Sequence, residues 1–316
     1  MKTLHFFPNA NYDFMGKRFI AFAFSGALII ASIILVLVRG LNFGIDFTGG
    51  LLLEVRTQQT ANLPDMRAKI GELNLGDYSL QTIDSDRDVM IRVQAADAED
   101  NTGQQAVIDA IKAKLGSGVE YRRAEYVGPQ VGNELIRTSA IAVLLSAIGI
   151  LLYVWFRFEW QFGVTTIMSL LHDIIIIIGL FAATQMDFNL TTVAAILTVA
   201  GYSVNDTIVV LDRVRDDLRK YRKMDLKVLF NRAINETLSR TVLTGGTTLL
   251  SLIALWLFGG EVLRGFVTAI LVGILLGTYS SIYVATQLLL YMNIRRISEK
   301  AEAAEKAAAE TPAAVE

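Results

Sequence analysis

Long uncharged, apolar runs recur along the whole chain and are separated by shorter polar segments. A helix that crosses a membrane needs about 20 consecutive apolar residues, because each residue adds about 1.5 Å across a hydrocarbon core about 30 Å thick. This pattern predicts a membrane α-helical protein with six transmembrane helices. The predicted helices are residues 19–38, 139–156, 163–184, 188–211, 241–258 and 266–293.

The first apolar run predicts a retained helix and not a cleaved signal peptide. It is about 20 residues long, whereas the apolar region of a signal peptide is about 7 to 15 residues long. Of the 316 residues, 53% are hydrophobic, and none of the four prolines falls within the six runs. We therefore expect helices without sharp proline kinks.

The distribution of lysine and arginine predicts which segments face the cytosol, because positive charges accumulate in short cytosolic connections. They are dense in residues 212–240 and after the sixth run, and absent from the connection between the third and fourth runs. We predict a cytosolic N-terminus (1–18), a cytosolic loop (212–240) within the helical region 139–293, and a cytosolic, partly disordered tail (294–316). For the basic loop, contact with lipid or a partner is the alternative to a topology signal.

The polar segment 39–138 then lies on the other side of the membrane, in the periplasm. Alternating apolar and polar positions predict four strands, and two stretches with helical spacing separate them in the order βαββαβ. That order over roughly 100 residues is the split βαβ arrangement, so we predict a small α+β ferredoxin-like domain. Gly49 and Gly50 are expected to form a turn or bulge at the first strand.

Several function classes lack their sequence signals. The chain has no cysteine, which excludes disulfides and thiolate metal sites. It also has no phosphate-binding glycine loop and no HExxH motif, so the sequence predicts neither an enzyme nor a metal centre. The basic loop contains only Tyr221 and Phe230 as aromatic residues, which disfavours nucleic-acid binding.

The most informative polar residue is Asp206, which lies within the fourth apolar run. An acid at the centre of a membrane helix costs about 2.5 to 3.5 kcal/mol, so such a residue usually faces the bundle interior and marks an ion or proton route. Polar residues at helical spacing accompany it in three of the runs. These stripes comprise Thr165, Ser169, His172 and Asp173; Thr198, Tyr202, Asn205 and Asp206; and Arg240, Thr244, Thr247, Thr248 and Ser251.

Because hydrocarbon cannot solvate polar groups, the stripes are expected to face one another or a partner protein. Arg240 lies at the cytosolic start of the fifth segment and Asp206 near the cytosolic end of the fourth, so antiparallel helices place them at similar depth in the membrane and predict a salt bridge. A packing role for this pair is the alternative. His172 and Asp173 suit either proton transfer or a structural hydrogen bond, and Asn205 suits contact between helices.

Four motifs carry a resemblance to a known family. They are "NFGIDFTGG" after the first helix, "HD" in the third, "GYSVNDTIVVLDRVRD" at the end of the fourth, and "ETLSRTVLTGGTTLL" opening the fifth. In this order, with six helices and one large loop after the first, the chain resembles the SecD/SecF family of the RND superfamily. The resemblance covers most of the chain and implies half of an RND-type bundle.

The resemblance also implies a function. It implies a translocase subunit that works with SecD, YajC and the SecYEG channel in the bacterial inner membrane, and uses the proton motive force to assist the export of unfolded preproteins. Protons would be the coupling ion, without another cofactor. The aspartate of the "ND" element is Asp206 and the arginine of the "SRT" element is Arg240, both implicated in proton conduction.

Six further polar residues are candidates for a supporting role: His172, Asp173, Tyr202, Asn205, Thr244 and Thr248. A passive scaffold, whose polar stripes only specify helix packing, is the alternative function.

Overall fold

The computed structural model describes residues 10–76, 78–83, 85–93, 101–116 and 118–292. The predicted tail 294–316 and the first nine residues of the predicted cytosolic N-terminus lie outside these ranges. Six helices in the described part are long and apolar enough to cross a membrane. This number and the small sheet described below confirm the predicted fold class.

Five of these helices are continuous and the sixth is interrupted. The continuous ones are α1 (Arg18–Arg39), α5 (Pro129–Arg157), α6 (Trp160–Thr184), α7 (Leu190–Lys220) and α8 (Leu226–Phe258). The last consists of α9 (Glu261–Ser280), a π-helical turn (Ser281–Ala285) and α10 (Thr286–Tyr291).

Two helix boundaries differ from the sequence prediction. Helix α5 begins at Pro129, ten residues before its predicted start at 139, because a proline in the first turn needs no hydrogen-bond partner for its nitrogen. The predicted loop 212–240 is helical except for residues 221–225. Charged pairs four residues apart support the helices there, and Asp225 caps α8 by accepting from Lys227 N at 2.9 Å.

The segment between α1 and α5 forms what we term the α/β domain. It begins with the short helix α2 (Ile45–Thr48), which the sequence did not predict. The predicted order then follows as β1 (Gly50–Thr57), α3 (Leu63–Gly71), β2 (Tyr78–Ile83), β3 (Ser85–Val93), α4 (Asn101–Leu115) and β4 (Val119–Val127). The antiparallel sheet has the strand order β2-β3-β1-β4.

One face of this sheet carries the domain's core. Leu51, Leu53 and Val55 alternate along β1 and are buried together with Ile70 of α3 and Ile111 of α4. Because successive side chains of a strand point to opposite faces, both helices cover one face of the sheet. Leu52 of β1 lies on the other face and is also buried.

Glycines set the closest approaches within the helical bundle. A Cβ on Gly179 of α6 would lie 2.7 Å from the Cα of Ser32 on α1, and a Cβ on Gly273 of α9 would lie 2.3 Å from Val199 of α7. Backbones that approach so closely gain packing contacts in a membrane, where small residues favour helix association. Helices α6, α7 and α9 therefore form the centre of the bundle, while α5 and α8 are mostly exposed.

The segment before α1 is fastened to α8. The side-chain oxygen of Asn231 accepts from the amides of Phe14 and Met15 at 2.8 and 2.9 Å, and that of Asn235 accepts from Tyr12 N at 2.9 Å. Residues 12–15 and the α7–α8 connection therefore lie at the same end of the bundle.

We expect the α/β domain to lose stability in acid as Asp88 is protonated. Arg56, opposite Asp88 across β1 and β3, donates from Nε and Nη2 to both carboxylate oxygens at 2.6 Å, and this contact lowers the pKa of Asp88 to about 2. A carboxyl whose pKa is lower in the folded than in the unfolded state stabilises the fold above about pH 4. This stabilisation is lost as the pH falls toward 2 and the carboxyl is protonated. Because Arg56 is partly exposed and solvent screens the pair, the expected loss of folding free energy is at most about 1 kcal/mol.

Hydrogen exchange of β1 and β3 in the full-length protein, corrected for the intrinsic rate, measures this loss. Replacing Asp88 with Asn removes the titrating group and should flatten the acid dependence. An equal response of both proteins to acid would contradict the assignment to Asp88.

Candidate functional site

Asp206 is a buried carboxylate with an incomplete set of partners. It is 8% exposed on the part of α7 that faces α8. Its Oδ2 atom is buried and makes no hydrogen bond, and the same holds for Oγ1 of Thr241 on α8. A buried polar atom without a partner costs free energy that a proton or a water-mediated contact would recover. This carboxyl is therefore suited to binding and releasing a proton.

The predicted salt bridge between Asp206 and Arg240 is not formed. Both residues are described, and no nitrogen of Arg240 lies within 4.0 Å of the Asp206 carboxylate. Arg240 is exposed on the surface of α8, although its charge still acts on Asp206. The prediction of a salt bridge was wrong because the sequence pattern indicates how deep each residue lies in the membrane but not how α8 is rotated about its own axis.

The polar stripe of α8 points outward. Thr244 is exposed and Thr248 is half-buried, and both lie on the same side of α8 as Arg240. The hydroxyl of Tyr202 on α7 packs beside this stripe, close to Gly245. Exposed residues of α7 extend the surface, and we call the combined set the polar face. It comprises Thr198, Gly201 and Asn205 of α7 and Arg240, Thr244, Thr247 and Ser251 of α8.

The stripe of α6 instead faces the bundle interior. Asp173 is fully buried, and its Oδ2 accepts from Ser203 of α7 at 2.7 Å and from Ser280 of α9 at 2.8 Å. Its Oδ1 lies 2.9 Å from Nδ1 of the adjacent His172. The hydrogen-bonded pair of His172 and Asp173 is thus present and is joined by two serines.

A further contact connects this interior cluster to the neighbourhood of Asp206. The hydroxyls of Thr207 and Ser281 lie 2.8 Å apart, so the residue after Asp206 touches the start of the π-helical turn. Single π-helical turns within α-helices occur often at functional sites. The interior cluster and the polar face therefore meet on α7, on either side of Asp206.

The sequence prediction missed the serines that complete this cluster. Ser203, Ser280 and Ser281 are all buried, and two of them bind Asp173. Serine is common in membrane helices, and Ser280 is 107 residues from Asp173. The only signal in the sequence was the adjacent pair of serines within the last apolar run.

Several titratable side chains are buried between the described membrane helices, and none of them belongs to a metal-binding cluster. Within the described residues, no group of three or more histidine, aspartate or glutamate side chains is placed to hold a metal ion. The titratable groups buried between the described helices are the pair of His172 and Asp173, Asp206, and Asp217 further along α7. They lie on helices that contact one another, so a change at one can alter the packing of the others.

Comparison with protein families gives two matches. The model described as protein export membrane protein SecD/SecF, C-terminal, matches residues 107–295, and the SecD/SecF GG motif matches residues 34–61. Among similar proteins, the protein translocase subunit SecF of Rickettsia felis is 45% identical over 94% of this chain and 97% of its own length. That of Rickettsia prowazekii is 43% identical over 94% of this chain and 96% of its own.

Two solved structures share the fold. The crystal structure of SecDF, a translocon-associated membrane protein from Thermus thermophilus, is 37% identical and covers 89% of this chain with a TM-score of 0.80. A structure of SecDF in a super-membrane-facing form is 35% identical over 93% of this chain, with a TM-score of 0.67. This chain spans 38% and 40% of the lengths of those two chains.

Proposed function

Because the chain belongs to the SecD/SecF family of protein export membrane proteins, we propose that it works with SecD to assist protein export by means of the proton motive force. The proposed substrates are unfolded preproteins leaving the SecYEG channel, with YajC as a further partner. The proposed location is the bacterial inner membrane, with the α/β domain in the periplasm and both termini in the cytosol. The proposed coupling ion is the proton.

The observation that carries this proposal is the unpartnered carboxylate oxygen of Asp206. Protonation would remove a charge from a buried site, and deprotonation would restore a negative charge that the outward-facing Arg240 attracts without direct contact. Each proton that crosses the membrane supplies about 2.3 kcal/mol per 100 mV of membrane potential. Such a step can do work on the helices without ATP.

The polar face supports a SecD subunit as the partner. Its hydroxyls, Asn205 and Arg240 are exposed on helices that cross the membrane, where lipid offers no hydrogen bonds. The longer SecDF chains contain a large part that has no counterpart in this chain. We propose that membrane helices of SecD cover the polar face, with Tyr202, Thr244 and Thr248 beside the proton site.

A passive scaffold remains the second candidate function, since the same polar face would also specify assembly with SecD. In that case the charge on Arg240 would matter for complex formation and not for the response to a proton gradient. His172 and Asp173 would then serve only to pack α6 against α7 and α9.

We expect Arg240→Met to impair coupling more than assembly. The methionine retains the length of the side chain but removes the charge that acts on Asp206. In proteoliposomes containing the SecD complex, the gradient-stimulated part of export should fall to the level measured with a protonophore. Arg219→Met, on the exposed charged end of α7, is the matched control. A variant that assembles and retains full gradient dependence would favour the scaffold.

A further inference from the structure

The backbone before the sheet is bound directly to the connection between α6 and α7. Gly44 N donates to Phe188 O and Phe188 N donates to Asn42 O, both at 2.8 Å. A Cβ on Gly44 would lie 3.0 Å from Cβ of Asn189, so glycine permits this approach. The two segments thus form a short parallel bridge at the base of the α/β domain.

Asp46 adds a bond to α7 itself. Its Oδ2 accepts from the backbone nitrogen of Leu190, the first residue of α7, at 2.9 Å. The first amides of a helix have no partner within the helix, and the positive end of its dipole favours a carboxylate. Asp46 therefore fixes the start of α7 to the segment that leads into β1.

Arg92 makes a second attachment, from the end of β3. Its Nη1 donates to Oδ1 of Asn42 at 2.8 Å, and its guanidinium forms an ion pair with Asp187. Asn42 closes the triangle by donating from Nδ2 to Oδ1 of Asp187 at 3.0 Å. The side chains of Arg92 and Asp187 are only 14% and 21% exposed, so solvent screens the pair weakly.

The α/β domain is thus attached at two points to the segment that begins α7, so a movement of that segment can rotate the domain as well as shift it. One lies before β1 and the other at the end of β3, two strands that pair with each other. Asp206 follows Leu190 on the same unbroken helix by sixteen residues, or about 24 Å. A tilt or shift of α7 at Asp206 therefore reaches both attachment points.

We propose that Asn42, Asp46, Arg92 and Asp187 form a joint that converts displacement of α7 into rotation of the α/β domain. The four side chains are positioning residues, since none of them contacts Asp206. The proposal rests on the proposed function, because it supplies the path by which proton exchange at Asp206 acts on the α/β domain.

The experiment uses charge exchange at the ion pair, in proteoliposomes that contain the SecD complex. Arg92→Asp and Asp187→Arg are each expected to lower gradient-driven export by at least about fivefold, while proton uptake persists. The double variant restores the ion pair in reverse. The amide of Asn42 can rotate by half a turn and keep a hydrogen bond to each partner. We expect the double variant to recover export.

A distance measurement tests the joint without reference to protons. The chain has no cysteine, so spin labels can be placed on Glu120→Cys in the α/β domain and Thr184→Cys at the end of α6, both exposed. The distance distribution should broaden in each single variant and narrow again in the double variant. Asp46→Ala is a milder test, and Asp46→Asn, which retains a hydrogen-bond acceptor, is its control.

The two hypotheses fail in different ways. Unchanged export and unchanged distances in the single variants, or no recovery in the double variant, would overturn the joint. Proton uptake that does not depend on Asp206 would overturn the proposed function, whatever the distances show.

Discussion

Asp206→Asn should eliminate gradient-driven export while the complex continues to assemble. Asparagine has nearly the same shape as aspartate and can make similar hydrogen bonds, but it cannot exchange a proton. The proton step is worth about 2.3 kcal/mol per 100 mV, or roughly a 40-fold bias in an equilibrium. We expect the complete loss of that bias, because the other buried acid of α7, Asp217, lies eleven residues further along the helix beside Arg213 and Arg232.

The measurement compares export and proton uptake in proteoliposomes with and without an imposed pH gradient. Asp216→Asn is the matched control, since Asp216 lies on the same helix but is exposed. The control should behave like the unmodified protein. Export by Asp206→Asn that still responds fully to the gradient would remove the central residue of the coupling hypothesis.

Gly179→Ala should separate α1 from α6 and strongly destabilise the bundle. The added Cβ would meet Cβ of Ser32 at 2.3 Å and its Cα at 2.7 Å, so the α1 backbone itself must move. Overpacking of this kind typically costs about 1 to 3 kcal/mol, and more where backbone is involved. Thermal unfolding of the purified complex in detergent would show the loss as a lower transition temperature.

Gly149→Ala provides the control for this substitution. Gly149 lies within α5, and a Cβ there would meet no atom within 4 Å. Its replacement should leave the transition temperature nearly unchanged. Equal effects of the two substitutions would show that helix propensity, and not the contact of α1 with α6, determines the stability at Gly179.

The sequence predicted the number of membrane helices and the order of elements in the α/β domain, because both follow from strong local patterns. Length and apolarity identify a membrane span, and alternation identifies a strand. The helix ends were less predictable. Helices α7 and α8 continue well beyond their apolar segments on charged residues, where hydropathy carries no signal and local ion pairs such as Arg232 with Glu236 support the helix.

The candidate site was predictable where a costly residue stood alone in an apolar run. Asp206 and Asp173 were recognised on that basis, and both are buried. The partners of Asp173 were not recognised, because Ser203 and Ser280 come from other helices whose neighbours the sequence does not specify. The outward rotation of Arg240 was missed for a related reason, since polar residues on α8 are compatible with either an inner or an outer position.

The attachment of residues 12–15 to α8 also bears on biosynthesis. Asn235 follows its partner Tyr12 by 223 residues, which corresponds to about 10 to 45 s of translation at about 5 to 20 residues per second. Met15 becomes fully buried only when that distant segment has been made. Residues 12–15 therefore lack these partners until α8 has been synthesised, and closure of that end of the bundle belongs among the late events of maturation.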